Sequence, residues 1–448
     1  MTKRRIAVVG GGPAGIMAAG AAARAGASVT LYEKNPRLGR KLSITGKGRC
    51  NITNSADPGE IIANIVGNGS FLYSAIYGFD NAAVISFFEE LGVRTKVERG
   101  GRVFPLSDSA GEVVRALERF LVRSSVRLRL DCRIARVEVE RIASAQKPVV
   151  RGIAASLGSD ADDSGAGYDN AFEPTDAVIL ATGGVTYPGT GSDGDGLRFA
   201  RSLGHTIRPL RPSLVPILLE EEWVPRLQGL SLRNVTATLE AEGKVLGHEF
   251  GEMLFTKHGV SGPIILTLSR KLAPFVAGID LDHINAANPL PLQIPARLAL
   301  NLKPALDQEK LDARVLRDWE TYARRLFKNS LDELLPQKLI PVMIELSGVD
   351  PEKPVHQVTR AERRRLIELL TAWPMRCTHL GALREGIVTA GGVSVREVNP
   401  KTMASRLVEG LYFAGEMLDV DGFTGGFNLQ AAFSSGRLAG ASAAMGLK

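Results

Sequence analysis

The residues with the clearest chemical purpose in this chain are glycines. Gly10-Gly11-Gly12-Pro13-Ala14-Gly15 follows the apolar run Arg5 to Val9, fits the spacing G-x-G-x-x-G and opens an Ala-rich stretch, Pro13 to Arg24, of helical texture. Gly10 permits a tight turn off a strand, Gly12 lets the backbone approach a pyrophosphate, and Gly15 lets the helix pack closely on the sheet. A helix starting at Pro13 and Ala14 offers unpaired amides and a positive partial charge to phosphate oxygens. Glu33 closes the next apolar run, Ser28 to Tyr32, where an acid can accept hydrogen bonds from a ribose diol. This order of strand, turn, helix, strand and acid predicts dinucleotide binding. The competing reading is a close-packed Ala/Gly turn with no ligand.

Later glycine elements separate FAD from NAD. Ala181-Thr182-Gly183-Gly184 ends a compact apolar run, and Gly410 to Gly426 reads as a strand followed by Gly415-Glu416 and then Asp421-Gly422. Late strand-plus-glycine elements of this kind recur in flavoproteins with two dinucleotide-binding motifs. There the third element brings an acid to the ribityl and pyrophosphate region, the place expected of Glu416 and Asp421. A helix beginning at Gly425, Gly426, Asn428 and Leu429 would aim its positive end at the isoalloxazine and stabilise reduced flavin. No second G-x-G-x-x-G follows a strand downstream, so NAD(P)H is expected as a transient electron donor and FAD as the resident, non-covalent cofactor.

Other residues could move protons or hold anions. Lys41, Lys47 and Arg49 lie in a glycine-rich loop and could contact FAD phosphates or an anionic substrate, or form a solvated basic loop. Cys50 reads either as a proton donor beside the flavin or as a buried structural thiol. Thr256, Lys257, His258 and Ser261 form a loop that could cap a flavin face. His258 can exchange a proton near neutrality, and its alternative is a surface histidine. His379 is a further histidine with access to such a cleft, and Asp419 the more exposed of the late acids. Thr389 to Val393, with Gly391 and Gly392, reads as a backbone loop against the flavin or as an interdomain turn.

The elements that must position these groups follow from periodicity. Asn81 to Leu91 and Ala110 to Arg123 read as helices, Arg94 to Phe104 as a hairpin around Gly100-Gly101, and Val126 to Leu130 and Ile134 to Val139 as strands. Gly158 to Glu173, acidic and rich in Gly, Ser and Asp, reads as a mobile hairpin tip. After His205 short alternating stretches such as Val235 to Leu239 and Leu298 to Leu302 predict an antiparallel insert. Leu306 to Leu346 and Arg360 to Trp373 read as helical, and glycine-rich α/β texture returns from Gly386. The expected organisation is an α/β Rossmann-like domain of residues 1–205 and 374–448, interrupted by an inserted domain of 206–373 with a helical subdomain over about 304–373.

Composition bounds the rest. The formal net charge of +7 is either a spread surplus or a surface for an anionic partner. Arg363-Arg364-Arg365 could contact phosphate or line the polar face of a helix. Three widely spaced cysteines, Cys50, Cys132 and Cys377, exclude a disulfide framework and a zinc pattern and fit a reducing cytoplasm. The basic start followed by Ile6 to Ala23 resembles a leader, but Arg24 interrupts the run and the glycine motif explains it better. No bilayer span and no metal are expected.

With these residues in view, the chain resembles the YhiN/BaiN-like family of FAD-dependent oxidoreductases, nearly end to end. The resemblance rests on Gly39-Arg40-Lys41-Leu42, Gly46 to Asn54 (GKGRCNITN), Gly101-Arg102-Val103-Phe104-Pro105, Pro212 to Pro216, Leu254-Phe255-Thr256, Thr389 to Val393 and Leu418 to Gln430. It implies a two-dinucleotide-binding flavoprotein fold carrying a barrel-like insert. It also implies a cofactor set extended by Lys34, Arg40, Gly48, Arg49, Cys50, Asn51, Arg133 and Ile134. Relatives are linked to reduction of steroid-like enones and of a ribosomal RNA uridine to dihydrouridine. The family commonly has His after the Phe-Thr pair, where this chain has Lys257 and then His258, so proton chemistry there is expected to differ. The primary expectation is an NAD(P)H-dependent ene-reductase acting on a uridine of large-subunit ribosomal RNA. The alternatives are a reductase of a small conjugated carbonyl compound, a flavin oxidase of an amine or alcohol, and a non-enzymatic flavin-containing RNA-binding protein.

Overall fold

A computed structural model describes residues 3–143, 145–156, 170–321 and 323–447. By contacts the chain divides into two units. The first is Met1–Pro212, Gly278–Ala287 and Ile387–Lys448, and the second is Ser213–Ala277 and Asn288–Gly386.

The first unit is built on a five-stranded parallel sheet in the spatial order Leu411–Phe413, Ala177–Leu180, Arg5–Val9, Ser28–Tyr32, Arg127–Arg129. The central strands are short apolar runs, IAVV and AVIL, buried on both faces as a parallel sheet requires. Because the strands run the same way, Val9, Tyr32, Leu180 and Phe413 all end at one edge, and the glycine turns that follow are gathered there. Two helices made of small residues cover one another. Gly436 and Gly440 of the helix Phe427–Met445 press on Pro13–Arg24 so closely that an added Cβ would lie 2.2 Å from the Ala14 carbonyl oxygen and 2.1 Å from that of Ala18. Helix composition thus sets the depth of packing, and the late helix is fixed on the same element that starts the glycine turn.

Smaller sheets edge this unit. Thr95–Glu98 pairs with Arg102–Pro105 as the expected hairpin, and Thr53–Asn54 adds a third strand. Val149–Ser156 pairs with Asn170–Pro174 and with Ile134–Glu140. Residues 157–169, most of the acidic segment read as a hairpin tip, lie outside the described residues.

The second unit contains a closed six-stranded antiparallel barrel in the order Ile217–Leu219, Gly259–Ser261, Lys244–Phe255, Ser231–Ala241, Leu290–Asn301, Trp373–Leu380. Its core includes Trp223, Phe255 and Trp373, with the two indoles stacked at 4.7 Å between centroids. The helices Gln308–Thr321, Ile340–Ser347 and Arg360–Ala372 add to this core.

The structure differs from the sequence expectation at one place here. Trp373 is not the end of a helix: it starts the strand that closes the barrel, so the contact boundary falls after Gly386 rather than at residue 373. The Arg363-Arg364-Arg365 run lies on the helix Arg360–Ala372, as the polar-face alternative of the sequence reading has it. Arg363 forks onto Asp312 at 2.7 and 3.3 Å, Arg364 bonds Glu368 at 3.0 Å and Arg365 donates to the Ser347 carbonyl at 3.2 Å. All three cysteines are free thiols. Among the described residues no single helix is long and apolar enough to cross a membrane.

Candidate dinucleotide site

The first glycine turn has the geometry that its spacing predicts. Gly10 has φ +109°, and a Cβ there would lie 2.5 Å from the Ala181 carbonyl oxygen. A Cβ on Gly15 would lie 1.9 Å from the Gly10 carbonyl oxygen. Gly12 is different: a Cβ built on it meets nothing within 4 Å. It is the N-cap of Pro13–Arg24, and no side chain caps that helix, so space and unpaired first-turn amides coincide. Glu33 is held in place by the turn itself. Its Oε2 accepts from the Gly11 amide at 2.7 Å and its Oε1 from the Asn35 amide at 2.8 Å. An open cradle at a helix N-terminus beside a fixed carboxylate fits a diphosphate and an adjoining ribose.

The late elements close on the same turn. Gly415, at φ +71°, approaches Ala14 so that a Cβ would lie 2.7 Å from the alanine Cβ. The next residue, Glu416, joins four distant segments. Lys41 Nζ donates to its Oε2 at 2.9 Å and its Oε1 at 3.1 Å, and the Thr389 amide donates to Oε1 at 2.8 Å. Thr186 Oγ1 lies 2.8 Å from Lys41 Nζ and 3.2 Å from Glu416 Oε1, while Thr389 Oγ1 accepts from the Val185 amide at 2.8 Å. Sequence reading named Lys41, Glu416 and Thr389 but missed Thr186, which stands beside the Gly183-Gly184 turn with no periodic signal of its own. A Cβ on Gly184 would lie 2.2 Å from Thr389 Oγ1, so this glycine makes room for the network.

The two most specific strings of the sequence also meet. Asn54 Nδ2 donates to the Gly425 carbonyl at 2.9 Å, and Thr53 Oγ1 bonds Gln430 Oε1 at 2.5 Å. A Cβ on Gly426 would strike the Thr53 backbone at 2.3 Å. Asn428 clamps its own turn, accepting from the Gly422 amide and donating to the Gly422 carbonyl, both at 2.8 Å, with Leu429 half-buried beside it. Asp421 is buried and pairs with Val66 in a short antiparallel ladder. Gly391 and Gly392, both at positive φ, pack on the backbones of Pro209 and of Met417 and Leu418. Asn51 Oδ1 is buried without a hydrogen-bond partner, an acceptor that a ligand N–H or O–H can satisfy.

Several expected cofactor contacts have protein partners. Lys34 reaches Asp193 at 2.5 Å and Asp195 at 3.2 Å, and Arg133 reaches Asp195 at 3.0 Å, with Ile134 buried next to it. Burial alone would raise the Asp195 carboxyl; Lys34 and Arg133 hold it below the usual range. Arg40 bonds the Asn35 amide oxygen. Arg49 lies 4.1 Å from the Phe104 ring centroid and pairs with Glu98 and, at 2.7 Å, with Asp108. Its guanidinium thus has carboxylate partners on and beside the hairpin, where the sequence alternatives were FAD phosphates, an anionic substrate or a solvated loop. Gly48, at φ +82°, has nothing within 4 Å of a built Cβ.

The proton-donor candidates separate by exposure. Cys50 is fully buried at φ +61°, and burial pushes its thiol up to about 12. Of the two sequence readings of Cys50, this burial is the environment that the structural-thiol alternative expects. Lys257 and His258 sit in the second unit, exposed at the tight turn from Lys244–Phe255 to Gly259–Ser261, which the Thr256 amide closes onto the Gly259 carbonyl at 2.8 Å. His379 is half-buried on the strand Trp373–Leu380.

Residues 4–442 match the HI0933-like protein Rossmann domain. The chain belongs to the HI0933-like family. It is an FAD-dependent oxidoreductase. The HI0933-like chain is 31% identical over 443 residues, 98% of its own length and 99% of the relative's, to the 3-dehydro-bile acid delta(4,6)-reductase of Clostridium scindens. It is 29% identical to the ribosomal RNA dihydrouridine synthase of Haemophilus influenzae, over 96% of this chain and 95% of the relative. The enzyme of the same name from Escherichia coli is also 29% identical at the same coverage. Among solved structures, 3-ketosteroid delta1-dehydrogenase from Sterolibacterium denitrificans superposes with a TM-score of 0.52 at 14% identity, over 98% of this chain and 99% of that one, a likeness of fold.

Proposed function

We propose that this protein uses NAD(P)H to reduce a carbon–carbon double bond conjugated to a carbonyl, and that its substrate is a uridine of large-subunit ribosomal RNA. The observation that carries the reading is the glycine cradle with its fixed Glu33, in a chain whose end-to-end relatives are named for a bile-acid reductase and for dihydrouridine synthases. An oxo-diene and a uracil ring share the conjugated C=C–C=O system, so one site chemistry serves both. The RNA substrate is favoured by the two synthase relatives and by the positive net charge.

FAD held there would supply hydride-transfer chemistry. The chain's own residues perform the rest. Amides at the Gly12–Gly15 turn hold the diphosphate and Glu33 orients the ribose. Glu416, steadied by Lys41, Thr186 and the Thr389 amide, fixes the turn that starts at Gly415. The uncapped N-terminus of Phe427–Met445 offers its dipole to negative charge that develops on reduction. Of the three candidate acids, Lys257 and His258 present their heads to solvent, whereas Cys50 is fully buried.

Deletion of the gene is expected to remove a dihydrouridine from large-subunit ribosomal RNA, measured by nucleoside mass spectrometry, and the wild-type gene to restore it. An unchanged level in a strain with no redundant enzyme would contradict the RNA substrate and leave the small conjugated carbonyl compound as the alternative.

A further inference from the structure

The hairpin that binds Arg49 divides its charges into two groups. Arg49 and Lys96 are neutralised by Glu98 and Asp108, with Lys96 Nζ 2.6 Å from Asp108 and 3.6 Å from Glu98. Lys47, Arg94 and Arg99 are exposed, and no carboxylate lies within ion-pair distance of any of them among the described residues. Arg94 and Arg99 bracket the strand Thr95–Glu98, a length of about 16 Å at the usual rise per residue. Lys47 belongs to the loop packed on the same hairpin: a Cβ on its neighbour Gly46 would lie 3.3 Å from the Phe104 ring.

The backbone that carries these cations is braced. The hairpin tip is tied down by Asn54 Nδ2 on the Gly100 carbonyl at 3.0 Å and by the Ser55 amide on the Gly101 carbonyl at 2.7 Å. The same Asn54 amide group reaches Gly425, at the start of the C-terminal helix, so the hairpin is braced against the candidate site within one unit. Lys47 has φ +60° and ψ +41° between two glycines that are also left-handed. A non-glycine residue there costs on the order of 1 kcal/mol, which glycine would avoid, and among the described residues its ammonium has no ion-pair partner to offset the strain. Exposed Val97, Ile44 and Leu106, on or beside these elements, add apolar surface among the charges.

We infer that Lys47, Arg94 and Arg99 form a rim that binds the phosphate backbone of the RNA flanking the target uridine. The inference rests on the RNA reading above and adds the surface that holds the strand. Unpaired cations bind phosphates by releasing counterions, and the braced backbone beneath them needs no reordering. The rim positions substrate and takes no part in the reduction.

The test is fluorescence-anisotropy binding of a ribosomal RNA fragment by the flavin-loaded full chain across a potassium chloride series. The variants are the triple Lys47→Gln/Arg94→Gln/Arg99→Gln and the charge-retaining triple Lys47→Arg/Arg94→Lys/Arg99→Lys. Loss of three single-strand phosphate contacts lowers the slope of log K against log salt by about 2, and affinity by roughly tenfold or more at low salt. The charge-retaining triple keeps the wild-type slope. A neutral triple that binds with the wild-type slope overturns the rim while leaving the RNA reading intact. A wild-type protein with no salt-dependent RNA binding overturns both.

Discussion

Gly15→Ala is expected to give a protein that neither retains FAD nor reaches wild-type stability. The added methyl would sit 1.9 Å from the Gly10 carbonyl oxygen, and that neighbour is backbone, not the end of a flexible side chain. The helix start must move off the strand turn, at a cost of about 3 kcal/mol, and its amides leave the cradle. Gly12→Ala separates packing from binding. Its methyl meets nothing within 4 Å, and φ −82° suits any residue. The expected stability of the flavin-free protein, read by thermal unfolding, falls only by the N-cap preference of glycine over alanine, about 1 kcal/mol or less. The methyl nonetheless occupies the space open for a diphosphate, so the ratio of flavin to protein absorbance falls steeply. Full flavin content in Gly12→Ala would contradict this placement of the cofactor.

Glu416→Ala has the second large effect. The Lys41–Glu416 pair is only one-fifth exposed on each side, and the carboxylate also accepts the Thr389 amide. Removing it strands the ammonium on Thr186 and leaves a buried amide unpaired, which costs about 2–4 kcal/mol. Glu416→Gln keeps an acceptor for Thr389 and loses only the charge, so its loss of stability is smaller. Chemical denaturation of the two variants checks the order. Equal stability of wild type and Glu416→Ala would show that the network does not hold these segments together.

The parts of the site that were legible in the sequence are the local ones. Gly10, Gly12, Gly15 and Glu33 lie within one strand–turn–helix–strand unit, where spacing maps directly onto geometry. The hairpin around Gly100-Gly101 and the start of the C-terminal helix were equally local. The Lys41–Glu416 bond spans 375 positions, and no periodicity links its ends. Thr186 and Asp195 acquire their roles only when strands far apart in sequence end at the same sheet edge. Charge was the least legible property. Arg49 and Arg363 look free in a string of residues, yet Asp108 and Asp312 pair with them in the fold, while no carboxylate pairs with Lys47 among the described residues. Trp373 was misread because helical spacing runs into it from Arg360, and burial against Trp223 draws it into the barrel instead.

The most direct measurement of the central claim is an anaerobic single turnover. FAD-loaded protein is bleached with one equivalent of NADPH and then mixed with large-subunit ribosomal RNA from the deletion strain, with flavin absorbance and dihydrouridine followed together. The account predicts rapid recovery of the oxidised flavin spectrum and one dihydrouridine per flavin. Recovery with molecular oxygen or a small conjugated ketone, but none with the RNA, would contradict it.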